Sequence, residues 1–206
     1  MHQIFVANPK GGCGKTTLAT HIASYYAWKG RTVALMDHDE QCSAMDWLKV
    51  RPKSCEPIVG VACSRGKTLT QEVDVAVHDL PAGMGGRSLV ELAQGHQIIV
   101  PILASPTDIK ACIRFMMGLT RAGGIQGENM DLGVVANRIK VQTHYSKTLQ
   151  EFLSQIELPL LGSLRDTQNY IRAMAVGVSI FDLPSARLAK DVAQWESIFA
   201  WLRQPD

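Results

Sequence analysis

The stretch NPKGGCGKTT at residues 8–17 constrains this chain more than any other. It follows a short apolar, β-prone run, QIFVA (residues 3–7). It precedes a segment, Thr17 to Lys29, with helical spacing at Leu18, Ile22 and Tyr25/Tyr26, which Gly30 stops. A glycine-rich turn between a strand and a helix points successive backbone N–H groups inward around a phosphate, and the helix N-terminus adds partial positive charge. Side chains would block that approach, so Gly11, Gly12 and Gly14 cluster there. The general phosphate-loop pattern G-x-x-x-x-G-K-[ST] nearly fits, with Lys15 on the β- and γ-phosphates and the Thr16 hydroxyl on Mg²⁺. It breaks at its first glycine, whose place Pro9 takes, and it gains a second lysine, Lys10.

The same grammar repeats down the chain. TVALMD (32–37) and VDVAVHD (73–79) are apolar runs ending in an acid, the form of a buried parallel strand whose C-terminal end faces a site. QIIVPILAS (97–105) and LGVVANR (132–138) are two more, and LPLLGSL (158–164) is a less apolar one. Helical patterns lie between them at 86–94, 108–121 and 145–156, and the tail reads helical from Ser185 to about Leu202. Strands alternating with helices imply right-handed crossovers, hence an α/β fold: a mainly parallel, twisted sheet with helices on both faces. Ligands bind such sheets at the C-terminal ends of the strands, where the glycine loop and the acids fall. With no internal repeat or linker in 206 residues, the expectation is one domain over residues 1–206.

Lys10 follows Pro9 and is poorly placed to fold back onto a phosphate already held by Lys15. Either it is a solvated lysine, or it reaches outward to a nucleotide held by a second copy, where added positive charge accelerates phosphoryl transfer. Asp37 and Asp39 stand two apart beyond a strand, so in an extended segment both carboxylates point to the same side. Phosphoryl transfer needs acids to hold Mg²⁺ and to orient the attacking water. Asp79 ends another strand and is followed by Leu80-Pro81-Ala82-Gly83. His38 and His78 beside these acids read as neighbours, because Mg²⁺ prefers oxygen. The Asn137 amide offers a donor and an acceptor, which suits the N6/N7 edge of adenine.

These residues carry a resemblance. KGGCGKTT resembles the deviant Walker A motif K-G-G-x-G-K-T-T of the ParA/MinD family of P-loop ATPases, closest to small ParA-type proteins. The resemblance implies a P-loop NTPase fold, ATP and Mg²⁺ as cofactors, and a dimer that sandwiches two ATP molecules. Lys10 then takes the role of the signature lysine on the partner's nucleotide, and Gly11, Gly12, Cys13, Gly14, Lys15, Thr16 and Thr17 form the phosphate cradle. MDHDEQ is similar to the family's D-x-D-P-Q switch I, which assigns Asp37 to the Mg²⁺ shell and Asp39 to the hydrolytic water; Glu40 stands where the family often has proline. Asp79 becomes the Walker B acid and the following stretch switch II. Ala136-Asn137-Arg138 resembles the adenine-recognition segment, and Leu164 to Asp166 would pack beside the base.

ATP hydrolysis in this family times binding to something else. Net charge is only +2, and from Arg138 onward eight Lys/Arg face seven Asp/Glu, so nucleic acid would meet a local patch and not a basic tail. Candidates for nonspecific DNA are Lys110 and Arg114 on one helical face, with Arg172, Arg187 and Lys190. The implied partners are a second copy, DNA, and a ParB-like or other adaptor that triggers hydrolysis; the cargo is a plasmid, a chromosome or a protein assembly such as a carboxysome. With the first strand opening at residue 3, no helix-turn-helix extension and no operator-specific repression are expected. The alternative is a MinD-like membrane-associated regulator of cell division. Its basic amphipathic tail is poorly matched by KDVAQWESIFAWLRQPD, whose Val192, Trp195, Phe199 and Leu202 read as core. An iron–sulfur relative would need suitably paired cysteines, and Cys13, Cys42, Cys55, Cys63 and Cys112 are isolated. No signal peptide is visible and no apolar run nears the ~20 residues of a membrane helix, so the expected place is the cytoplasm, at the nucleoid.

Overall fold

The first strand, β1 (His2–Val6), has neighbours on both sides, and that position organises everything else. The computed structural model describes residues 1–122, 130–140, 158–183 and 186–202. Within them β1 is joined by β2 (Val33–Asp37), β3 (Val59–Ala62), β4 (Val75–Asp79), β5 (His96–Leu103), β6 (Met130–Ile139) and β7 (Leu160–Arg165). The spatial order is β3-β2-β4-β1-β5-β6-β7, and every adjacent pair is parallel. Parallel strands require crossovers, so both faces of the sheet are covered.

Alternate side chains of β1 sort the two layers. Ile4 and Val6 face a cluster with Leu18 and Ile22 of α1 (Lys15–Trp28), Leu35 and Val77 of the sheet, and Trp195, Phe199 and Leu202 of the tail. Phe5 faces the opposite cluster, with Leu89 of α3 (Gly86–Ala93) and Cys112, Phe115 and Leu119 of α4 (Pro106–Arg121). Helix α1 is buried nearly all round, down to Thr20, His21 and Ser24, as a helix wedged between sheet and tail must be. Helices α3 and α4 cross at small residues: a Cβ on Gly86 would lie 2.8 Å from the Gly118 carbonyl carbon.

Every expected strand is present within a few residues of its sequence bounds, and so are the helices expected at 17–29, 86–94 and 108–121. Two elements were not expected: α2 (Ser43–Lys49) and the edge strand β3. Just after the segment Leu164 to Asp166 comes α5 (Gln168–Ala175). The tail is not one helix. It is a 3-10 turn (Ala186–Leu188), α6 (Ala189–Ala193) and α7 (Glu196–Leu202), with a break that lets Trp195 become fully buried. The helix expected at 145–156 lies outside the described residues.

One buried ion pair ties α2 to the far end of the chain. Arg51 and Asp182 meet at 2.9 Å with their side chains 5% and 4% exposed, and Ser24 of α1 and Ser179 also donate hydroxyls to Asp182. Behind α5, Gly177 (φ 70°) lets the chain pass so close that a Cβ there would meet the Arg51 backbone at 2.5 Å.

His21 lies at the centre of this layer. Its Nδ1 sits 2.8 Å from the Thr17 carbonyl oxygen, its buried Nε2 has no hydrogen-bond partner among the described residues, and its ring stacks on Trp195 at 5.7 Å. Burial holds the ring neutral, with its pKa pushed down to about 4 from 6.5. The unfolded chain therefore binds more protons between these values, and stability should fall as pH drops through that window. His21→Phe, which keeps the stacking but cannot titrate, should flatten this slope by up to about 3 kcal/mol in urea titrations at pH 7 and pH 4.

Candidate functional site

The loop between β1 and α1 keeps its shape through its surroundings. Gly12 (φ 77°) and Gly14 (φ 95°) are left-handed, where a side chain is strained. Two buried asparagines hold the loop. Asn8 donates to the Pro101 carbonyl of β5 (2.6 Å) and accepts from the Lys10 amide (2.8 Å). Asn137 at the end of β6 donates to the Cys13 carbonyl (2.8 Å), while its own oxygen accepts from the Arg138 amide (2.9 Å). A Cβ on Gly14 would fall 2.2 Å from the Asn137 Nδ2. Lys15 is only 7% exposed, and its Nζ donates to the Lys10 carbonyl at 3.1 Å. The first bond inside α1 runs from the Leu18 N–H to the Gly14 carbonyl at 3.0 Å, which leaves the amides before it for an anion.

Asp37 and Asp79 end adjacent parallel strands in register, and both are buried. Neither oxygen of Asp79 has a hydrogen-bond partner among the described residues. Burial pushes its carboxyl up to about 7, opposed in part by the neighbouring Thr16 hydroxyl and the Lys15 charge. Asp37 is differently employed. Its Oδ1 accepts from the Asp39 amide (3.0 Å), and its Oδ2 accepts from the Ala44 and Met45 amides (3.0 and 3.2 Å), capping the start of α2. Asp39 in turn accepts from the Gln41 amide through Oδ1 (3.0 Å). The Gly83 amide donates to the Pro9 carbonyl (2.9 Å), which fastens the segment after Asp79 to the phosphate loop. His38 and His78 pair with each other at 3.0 Å, as neighbours of the acids. An orphaned buried carboxylate, with a hydroxyl beside it and a second carboxylate on the next strand, is an oxygen donor set that fits a hard divalent cation.

On the other side of the loop a cavity of about 500 Å³ opens between Gly12, Gly14 and Thr17 and the segment 164–175. Asn137, Arg138, Leu164 and Asp166, singled out in the sequence, all line it. Thr167, Tyr170, Ile171 and Met174 line it too and were not foreseen; they sit one face deep on α5, whose N-cap Thr167 is the visible signal. The expectation for Asn137 changes in one respect: its NH₂ group is already engaged on the Cys13 carbonyl, so its first structural service is to the loop.

The model of the CobQ/CobB/MinD/ParA nucleotide binding domain matches residues 4–180. The chain belongs to this family. Among relatives, it is 28% identical over 187 residues to the maintenance of carboxysome distribution protein A of Halothiobacillus neapolitanus, covering 86% of each chain. Its fold is that of P-loop NTPases of the ParA/MinD type. It superposes with a TM-score of 0.72 on a plasmid partition protein of Borrelia burgdorferi bound to AMPPNP, at 17% identity and 97% of both chains. The septum site-determining protein MinD of Pyrococcus horikoshii, complexed with Mg-ADP, gives a TM-score of 0.71 at 16% identity over 99% of both chains.

The two lysines of the loop are parted. While Lys15 turns into the loop, the Lys10 ammonium sits 3.2 Å from the Thr107 hydroxyl and 3.4 Å from the Asp108 carboxylate at the start of α4. The basic residues considered for DNA are all exposed but do not converge. Lys110 and Arg114 lie on α4, over the Phe5 face of the sheet; Arg172, Arg187 and Lys190 lie on α5 and the tail, over the Ile4 face.

The raised Asp79 carboxyl has a measurable signature in the nucleotide-free, metal-free protein. The folded state holds the proton between pH 3.8 and about 7 while the unfolded chain has lost it, so stability falls as pH rises through that range. Wild type should lose up to about 4 kcal/mol relative to Asp79→Asn between pH 4 and pH 8, read as the pH slope of the difference in denaturation free energy.

Proposed function

We propose that this chain is a ParA-type ATPase, one domain over residues 1–206, whose working unit is an ATP-sandwich dimer. The observation that carries the reading is the division between Lys15, buried in its own loop, and Lys10, which leaves that loop and stays 40% exposed in its side chain. A lysine facing away from its own phosphate site is suited to a nucleotide on a second copy. Gly11 to Thr17 cradle the phosphates, and the 500 Å³ cavity takes the adenosine between Asn137, Arg138, Leu164, Asp166 and Tyr170. Thr16, Asp37 and Asp79 would hold Mg²⁺, which would supply positive charge to the phosphates of ATP. Asp39 orients the hydrolytic water.

The output is nonspecific DNA binding at the nucleoid, gained when two copies pair and lost when an adaptor of the ParB type triggers hydrolysis. Doubling a weak set of phosphate contacts on pairing gives avidity and strong salt dependence. With basic residues over both sheet faces, the α4 pair Lys110 and Arg114 and the group Arg172, Arg187 and Lys190 are alternative footprints. The relative named for carboxysome distribution and the partition-protein fold support positioning of a cargo. The membrane alternative has less behind it: Trp195, Phe199 and Leu202, which a membrane-surface helix would display, are buried in the core. Among the described residues no helix is long and apolar enough to cross a membrane.

Lys10→Ala should abolish ATP-dependent dimerisation, or slow hydrolysis by at least about tenfold, while nucleotide still binds the monomer. Unchanged dimerisation and turnover would remove the trans role. Co-sedimentation with DNA should require ATP and weaken steeply between 50 and 200 mM salt, on the order of tenfold or more, whereas vesicles should pellet little protein. Retention on DNA independent of ATP and salt would refute the nucleoid reading.

A further inference from the structure

The lysine offered to a second copy already has a partner in its own chain. Lys10 Nζ lies 3.4 Å from Asp108 Oδ1 and 3.2 Å from Thr107 Oγ1. The two halves of this pair differ in freedom. Asp108 is in the first turn of α4, its side chain 9% exposed, its amide bonded to the N-cap Ser105 hydroxyl (3.1 Å) and its carboxylate bonded to the same hydroxyl. Pro106 stiffens that turn further. Lys10, 40% exposed at the end of a flexible stem, is the half that can leave.

We propose that Asp108 is a positioning residue that latches Lys10 in cis, and that ATP-dependent pairing must undo this latch once in each protomer. The inference rests on the sandwich dimer proposed above. A carboxylate that stayed on Lys10 would bring negative charge against the partner's polyphosphate, so the ammonium has to exchange one anion for the other. Among the described residues Asp108 is the acid that pairs with Lys10. A half-exposed pair of this kind shifts an equilibrium by roughly two- to fivefold. Because a dimer undoes two of them, the effect on the pairing constant is squared, to roughly four- to twenty-five-fold. The latch thus sets a threshold that nucleotide must overcome before two copies join.

The test uses the full chain. In the nucleotide-free protein, Asp108→Asn should raise the acylation rate of the Lys10 amine, followed by mass spectrometry, at least about twofold relative to Lys110 as internal reference. With AMPPNP, the same variant should strengthen dimerisation by about fourfold or more in sedimentation, and Asp108→Glu should return both readings toward wild type. Should Asp108→Asn disturb the α4 cap and unfold, Thr107→Val, which leaves Ser105 and Asp108 in place, should move both readings the same way by a smaller factor. An unchanged Lys10 acylation rate overturns the latch. So does faster acylation with unchanged or weaker pairing of the variant while wild type pairs. If wild type itself forms no AMPPNP-dependent dimer, the sandwich reading fails and the latch falls with it.

Discussion

A loop that is to wrap an anion must keep its amides aimed inward before the anion arrives, and it must do so with almost no side chains of its own. Here that constraint is met from outside by two buried amides. Asn8 ties the loop's entry to β5, and Asn137 ties its turn to β6. The strands these asparagines reach are the ones on the α4 side of β1, so the phosphate site depends on the sheet being complete. Preorganisation of this kind removes the cost of ordering the loop from the binding step. It also fixes where α1 begins, and α1 is the helix around which the larger core cluster assembles.

The electrostatics are arranged on the same principle. Asp79 is buried, and neither of its oxygens has a hydrogen-bond partner among the described residues, which the folded chain tolerates through a carboxyl shifted to about 7. Asp37, one strand over, is instead satisfied by three backbone amides and thereby sets the start of α2. Burial raises both acids at these matching strand ends, but they differ in their partners: Asp37 accepts from three backbone amides, while Asp79 is left wanting a cation. The tie from α2 through Arg51 to Asp182 and Ser24 then joins the segment after Asp37 to α1 and to the chain's last layer.

Much of this was legible in the sequence because its signals are local. The glycine loop, the apolar runs ending in Asp37 and Asp79, and the strand before Asn137 are contiguous patterns that need no tertiary partner to be read. What escaped reading is set by contacts at long range. Strand β3 is four residues at the sheet's edge, with Gly60 pressed toward Leu48 and Met45. Helix α2 has no side-chain cap at its own N-terminus; Cys42 there is left-handed (φ 52°), and the capping oxygen comes from Asp37. The tail pattern is helical in period, but Trp195 buries fully only because the helix breaks before Glu196. The engagement of Asn137 with Cys13, 124 residues away, and the pairing of Lys10 with Asp108 both lie beyond the reach of any periodicity.

The interlock of Gly14 with Asn137 limits how the motif can be treated as a module. Gly14 is left-handed, and the volume a Cβ would claim is occupied by the Asn137 amide, so the two positions share one small space. The stretch NPKGGCGKTT is accordingly not a cassette complete in itself. Grafted onto another strand–helix junction, it would carry its glycines and lysines but leave behind the asparagine that shapes it. Its inheritance is a property of the sheet: the first, fifth and sixth strands have to be handed on together.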